Sequence, residues 1–456
     1  MTNPHTELFK DKRVIVMGLG RFGGGAGAAN YAASLEANVT ISDRATTDQL
    51  EAGLAKIKPH LETGAITLSL GEHDESLLDT ADILIVNPAV PHPWDNPFIA
   101  RATALGVTIE TEIGLTTDRL AHSDSTTIAI TGSIGKSTTA AMAHHALQKL
   151  GVPTILAGNI GGSLLNHGIP GNATAVLELS SAMLHWLRAT RPAWSPSAAV
   201  VTGYEPNHLD WHTTEPHYRA AKQHLFDTLE NTTHAHAILG PSVVDWATPS
   251  NATRHAPPAL ETQLVLPGEH NRTNAALAAA AIAAVTPNEP NHTAIADAIA
   301  TFPGLPHRLA FAGSRRAKTG LIACYNDSKS TTPGTTAAAV EALRERHDHI
   351  WLIAGGADKN IDLASLASLK RVTLLTIGTT GPAIAAAAAT AKTPHDHCHT
   401  LDAAVAHAAS NANPDDALLL SPACASWDQF ENYEARGHAF LASLETHLGP
   451  PQRSPT

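Results

Sequence analysis

Residues 126 to 139 read TTIAITGSIGKSTT, a β-branched run that passes through Gly132, Ser133, Ile134, Gly135, Lys136 and Ser137 into an Ala-rich stretch. Strand, glycine turn and helix in that order constrain the fold more than any other segment, because they belong to a parallel sheet with helical crossovers. They also predict an anion site. Glycines let successive backbone N–H groups converge, the helix N-terminus adds its dipole, Lys136 reaches terminal phosphates, and the Ser137 hydroxyl suits Mg²⁺. The turn is shorter than a Walker A loop, with two residues between Gly132 and the Gly135-Lys136 pair. A turn that merely joins strand to helix is the alternative; the flanking elements and the Lys-Ser pair favour phosphate binding.

At 456 residues the chain exceeds what one core supports, so two or three domains are expected. The formal net charge of -12 argues against a nucleic-acid partner. No wholly apolar run approaches membrane-spanning length, and the N-terminus passes from polar residues into a strand without a signal core. Three cysteines without paired spacing point to a reduced, cytosolic protein, with Cys424 read as a packed thiol. The histidine-rich run 395 to 399, HDHCH, reads as a solvated loop in preference to a zinc site.

Strands alternate with helical stretches almost throughout. Arg13 to Met17 is followed by Gly18-Leu19-Gly20-Arg21-Phe22-Gly23, an Ala-rich helix and a strand ending at Asp43. This is a dinucleotide fingerprint, which fixes a pyrophosphate at a helix N-terminus and leaves the base open. A further strand, 82 to 86, ends in the turn Asn87 to Pro91, and the first domain is expected to close before the polar stretch 116 to 125. Behind the phosphate loop come the Gly-rich turn 157 to 162 with Asn159, the strand 176 to 181 that delivers Glu178, and Asn207 to His212 followed by Lys222. Each has an ordinary reading: Glu178 as a cap partner, His208 as a loop residue, Lys222 as a solvated helix face. Their order behind a phosphate loop favours chemistry. In the last third, the connector 302 to 308 precedes three strands that deliver polar residues at their carboxyl ends, at 325 to 331, 351 to 359 and 418 to 430, and 383 to 391 reads as a helix.

The ordered set TGSIGKST, AGNIGG, LELSS, NHLDWH with Lys222, LPGEHNRTN, GLPHR, NDSKSTTPGTT, GGADKN and LLSPACASWDQFENYEARG resembles the Mur ligase family of peptidoglycan synthesis over nearly the whole chain. The resemblance implies an α/β fold of three domains, each with a mainly parallel sheet: Rossmann-like at 1-115 for a UDP substrate, P-loop ATPase-like at 116-304 for ATP, and Rossmann-like at 305-456 for glutamate. It implies ATP-dependent joining of D-glutamate to UDP-N-acetylmuramoyl-L-alanine through an acyl phosphate, by a cytoplasmic monomer that enters no membrane. ATP would contact Gly132, Ser133, Gly135, Lys136, Ser137, Thr138, Thr139, Asn271, Arg308 and Asp327. Ser137, Glu178, His208 and a carbamylated Lys222 would hold two Mg²⁺ ions, with Lys136, His208 and Lys222 as the catalytic set. Gly20, Asp43, Arg44 and Asn159 would hold the nucleotide substrate, and Lys329, Thr331, Lys359 and Ser426 the incoming glutamate.

Gly203 and Asn207 depart from the Asn and Asp common near the metal site, and Trp427 and Tyr433 replace the usual Leu and Phe beside the glutamate pocket. L-glutamate, a folate-type chain or another acyl substrate therefore stays open as an alternative. An oxidoreductase or a non-catalytic regulator built on the Gly18 to Gly23 fingerprint would have no need of Lys136, Glu178 and Lys222.

Overall fold

The computed structural model describes residues 4–20, 24–286, 291–358 and 362–452. Three sheets carry the fold, as the alternation of strands and helices predicts. The first comprises β1 (Arg13–Met17), β2 (Asn38–Asp43), β3 (Ile66–Leu70), β4 (Ile83–Val86) and β5 (Thr108–Glu110), all parallel, in the order β3-β2-β1-β4-β5. Winding reverses between β1 and β4, which opens a crevice beyond their carboxyl ends. There Asn87 Nδ2 donates to Gly18 O at 3.4 Å.

The second sheet holds β6 (Thr126–Thr131), β7 (Thr154–Gly158), β8 (Thr174–Glu178), β9 (Ala198–Val201), β10 (His236–Leu239) and β11 (Thr253–His255), parallel in the order β11-β10-β9-β6-β8-β7. Every residue of β8 and β9 is buried, as continuous runs such as TAVLE and AAVV require when helices cover both faces. Each large aliphatic side chain so buried contributes about 1.5–3 kcal/mol. Strand β6 stands at the reversal of this sheet, so the glycine turn that follows it opens where ligands bind in such folds.

The third sheet holds β12 (Ala310–Arg316), β13 (Leu321–Asn326), β14 (Ile350–Gly355), β15 (Val372–Ile377), β16 (His395–His399) and β17 (Ala417–Leu420), in the order β12-β13-β17-β14-β15-β16. It is parallel except for the antiparallel edge pair β12/β13. The HDHCH run is thus an edge strand, not a solvated loop. Its backbone pairs with β15, His397 Nδ1 meets Thr376 Oγ1 at 2.9 Å, and Asp396 pairs with His407 at 3.3 Å. An edge position tolerates polar side chains that a central strand would not.

By compactness the chain forms two units, Met1–Leu260 with Thr273–Ile299, and Glu261–Arg272 with Ala300–Thr456. The first contains two sheets because one helix, Glu112–Ala121, serves both: Leu115 lies in the core of the first sheet, Ile113 and Leu120 in that of the second. The stretch 116 to 125 is therefore half helix. Thr116 and Thr117 are buried, since their hydroxyls bond back to Glu112 Oε1 and Gly114 O within the helix.

Candidate active site

The phosphate loop is tightened from three directions. Gly132 has φ +143° and Gly135 φ +87°, and a Cβ at either would meet Thr202 Oγ1 at 2.1 Å or Asn274 Oδ1 at 2.5 Å, so only glycine fits. Ser133 N donates to Gly203 O at 2.8 Å, its hydroxyl reaches Glu205 O at 2.7 Å and lies 2.9 Å from Tyr218 Oη. Lys136 opens the helix Lys136–Lys149 and donates from Nζ to Ser133 O at 3.1 Å. Thr139 N caps back to Gly135 O, and its hydroxyl donates to Asn274 Oδ1 at 3.3 Å. Ser137 and Thr138, half-buried, lie on the first turn of this helix.

Glu178 ends β8 and is fully buried. Its Oε1 accepts from Asn159 Nδ2 at 3.0 Å, while Oε2 has no hydrogen-bond partner. A buried carboxylate oxygen without a donor suits a hard cation better than it suits an apolar core. Among the described residues no three His, Cys, Asp or Glu side chains form a ready-made cage. A cation beside Ser137 and Glu178 would complete its shell with phosphate and water oxygens, the habit of Mg²⁺.

Lys222, on the helix Glu215–Asp227, is 1 % exposed, which overturns the reading of a solvated helix face. Its Nζ donates to Gly132 O at 2.7 Å and lies 4.7 Å from the Tyr218 ring centroid. Burial, then the Lys136 ammonium, push its pKa down to about 6, against the pull of Glu178. His208 adopts φ +51° ahead of the short helix Leu209–His212. Desolvation lowers its pKa and Lys136 and Lys222 add to this, while Asp210 opposes. The second sheet thus gathers Lys136, Glu178 and Lys222 about one loop, with His208 within their electrostatic reach.

In the first sheet, Asp43 accepts from Leu19 N at 2.8 Å through Oδ2 and from Ala45 N at 2.9 Å through Oδ1, so it braces the Gly18–Gly20 turn, with Arg44 exposed beside it. Gly20 and Asn159 line one cavity of about 510 Å³. Gly23, the last glycine of the fingerprint, lies outside the described residues, as does Lys359.

The second unit holds the other expected residues. Asn271 is 3 % exposed and donates to Pro267 O at 2.6 Å. Asp327 accepts from Leu309 N at 2.9 Å and Ser421 Oγ at 2.8 Å; burial raises its carboxyl to about 7 against those bonds and the nearby Arg308, itself exposed. Lys329 Nζ lies 3.2 Å from Tyr433 Oη, Thr331 is half-buried, and Ser426 is buried. Sequence reading missed Arg436. It is 1 % exposed and ties together the two segments expected to hold glutamate, donating to Ser328 O at 2.8 Å and Ala425 O at 3.1 Å. Asn274 was missed too, although its spacing of three from Asn271 on one helix was a usable signal.

Fold and site together define a three-sheet α/β protein built to hold nucleotide phosphates. Residues 12–111 match the Mur ligase MurD-like N-terminal domain, 130–244 the Mur ligase middle domain and 307–424 the Mur ligase glutamate ligase domain. The UDP-N-acetylmuramoylalanine–D-glutamate ligase of Shouchella clausii is 33 % identical over 96 % of this chain and 98 % of its own. The ligase of the same name from Dinoroseobacter shibae is 34 % identical over 81 % and 86 %. A solved UDP-N-acetylmuramate-alanine ligase from Thermotoga maritima shares the fold, with a TM-score of 0.57 at 19 % identity over 95 % of this chain and 99 % of that one. The chain belongs to the Mur ligase family.

Proposed function

We propose that the chain joins D-glutamate to UDP-N-acetylmuramoyl-L-alanine with cleavage of ATP, a step of peptidoglycan precursor synthesis in the cytoplasm. The observation that carries this reading is the gathering of Lys136, Glu178 with its unpartnered oxygen, and a buried Lys222 about the phosphate loop, in a chain whose relatives of similar length bear that activity in their names. The substrate carboxylate attacks the terminal phosphorus of ATP and ADP leaves. The glutamate amine then attacks the acyl carbon of the acyl phosphate, loses a proton, and phosphate departs as the amide forms. Lys136 and the loop N–H groups stabilise charge on the transferring phosphoryl group. Mg²⁺, held by Ser137 and Glu178 with a second ion at His208, would neutralise phosphate oxygens.

Lys222 is assigned a carbamate. Its low pKa leaves a neutral amine whose nitrogen adds to the carbon of CO₂ and releases one proton to solvent, and the resulting carbamate supplies oxygens where an ammonium would be repelled. Asn271, Arg308 and Asp327 are assigned to the nucleotide of ATP, Gly20, Asp43, Arg44 and Asn159 to the UDP substrate, and Lys329, Thr331, Lys359 and Ser426 to glutamate. The domains follow as 1-115, 116-304 and 305-456, in a monomer that supplies every one of these residues itself. No helix among the described residues is long and apolar enough to cross a membrane. Phosphate release with UDP-N-acetylmuramoyl-L-alanine and a panel of amino acids of both hands tests the reading: turnover with D-glutamate is expected, and turnover with L-glutamate alone, or with none, overturns it.

A further inference from the structure

The cavity shared by the first two sheets is lined largely by glycine, alanine and aliphatic residues, and Glu112 is its one ionisable side chain among the described residues. An acid there is unexpected if the ligand carries a diphosphate, because a carboxylate would repel it through a poorly screening interior. Glu112 is 8 % exposed. Its Oε1 accepts from Ser163 Oγ at 2.7 Å and from Thr116 Oγ1 at 3.0 Å. Burial raises its carboxyl pKa, and among the described residues the influences that oppose it are those two hydroxyl bonds.

Ser163 closes the Gly-rich turn that begins at Gly158 and carries Asn159, whose amide in turn holds Glu178. It also stands against the helix Gly24–Ser34, where a Cβ at Gly27 would meet Ser163 Cβ at 2.5 Å, and Asn166 Nδ2 donates to Gly27 O at 2.9 Å. The serine is therefore pinned between two elements, and Glu112 supplies its hydrogen-bond acceptor. Freed from that bond, the hydroxyl and the turn behind it could drift, and a displacement of a few tenths of an ångström changes how an adjacent pocket fits its ligand.

We propose that Glu112 is a positioning residue for the nucleotide-sugar substrate: it fixes Ser163, and through it the turn bearing Asn159, and does so as a hydrogen-bonding group and not as a charge. The inference rests on the proposed function, in which this cavity receives the UDP-linked substrate. Glu112→Gln keeps an oxygen able to accept from both hydroxyls; Glu112→Ala removes it.

Steady-state kinetics and calorimetry with UDP-N-acetylmuramoyl-L-alanine separate the outcomes. For Glu112→Ala, KM and Kd for the nucleotide substrate should rise about tenfold or more while kcat and the KM values for ATP and glutamate stay within about threefold. Glu112→Gln should restore the wild-type values to within about threefold. A wild-type nucleotide KM in Glu112→Ala overturns the proposal, as does a Gln variant as impaired as Ala, which would show that the charge is needed. A uniform loss across all three substrates also overturns it, as general damage. A wild-type protein that neither binds nor turns over the UDP substrate defeats the proposed function itself, whereas an active wild type beside an unaffected Glu112→Ala defeats only the role of Glu112.

Discussion

Replacing Lys222 by Met separates what this amine does for the reaction from what its burial does to the fold. Lys222 is 1 % exposed, with its pKa pushed down to about 6 by burial and then by Lys136. Above that pH the folded chain carries a neutral amine, while the unfolded chain keeps an ammonium up to about pH 10.4. The unfolded state thus binds one more proton through this window, and wild-type stability rises with pH by up to about 1.4 kcal/mol per unit relative to a Met variant. From pH 7 to 9 the difference between the two proteins should change by about 3 kcal/mol. At pH 7 the lysine destabilises by about 4–5 kcal/mol through its displaced titration. The bond to Gly132 O at 2.7 Å returns about 1 kcal/mol. Lys222→Met should therefore be more stable at pH 7 by about 3 kcal/mol and inactive. Urea unfolding in CO₂-free buffer at several pH values, with phosphate release measured alongside, checks both halves. Parallel stability curves for the two proteins, or a Met variant that retains turnover, would refute the reasoning.

Lys136→Ala should lower kcat by about 10²-fold or more with the fold intact, since one preorganised charge on the transferring phosphoryl is lost; unchanged turnover in a folded variant sinks the mechanism. Lys222→Ala should lose most activity and recover part of it when a short carboxylate is supplied, because the vacated space again receives oxygens; no rescue at any carboxylate concentration counts against the carbamate. In calorimetry the protein should bind uridine diphosphate and not NAD, and the reverse result returns the fingerprint to its dehydrogenase reading. Asp327, raised to about 7 from an ordinary 3.8, holds a proton in the folded state that the unfolded chain has already released. Wild-type stability should therefore fall as pH rises from 4 to 7 relative to Asp327→Asn, by up to about 4 kcal/mol, and denaturant midpoints that track each other across that range would show the carboxyl to be ionised when folded.

The sequence by itself determined the three-sheet α/β plan and where each motif lies along it. β-Branched and apolar runs such as RVIVM and TTIAIT, ended by glycine turns, are local patterns that survive without knowledge of the partner strand. The phosphate loop was legible for the same reason: strand, turn and helix are contiguous in the chain. Tertiary structure decided the rest. Lys222 is buried because its Nζ meets Gly132 O, 90 positions away in sequence. Glu178 keeps an orphan oxygen because only one of its two oxygens meets Asn159. HDHCH became a strand because β15 offered an edge to pair with, and Glu112 became a cavity acid because one helix serves two cores. Burial and the protonation it imposes are sums over neighbours distant in sequence, so residue type and spacing fix which chemistry is available while packing fixes the charge state in which it is used.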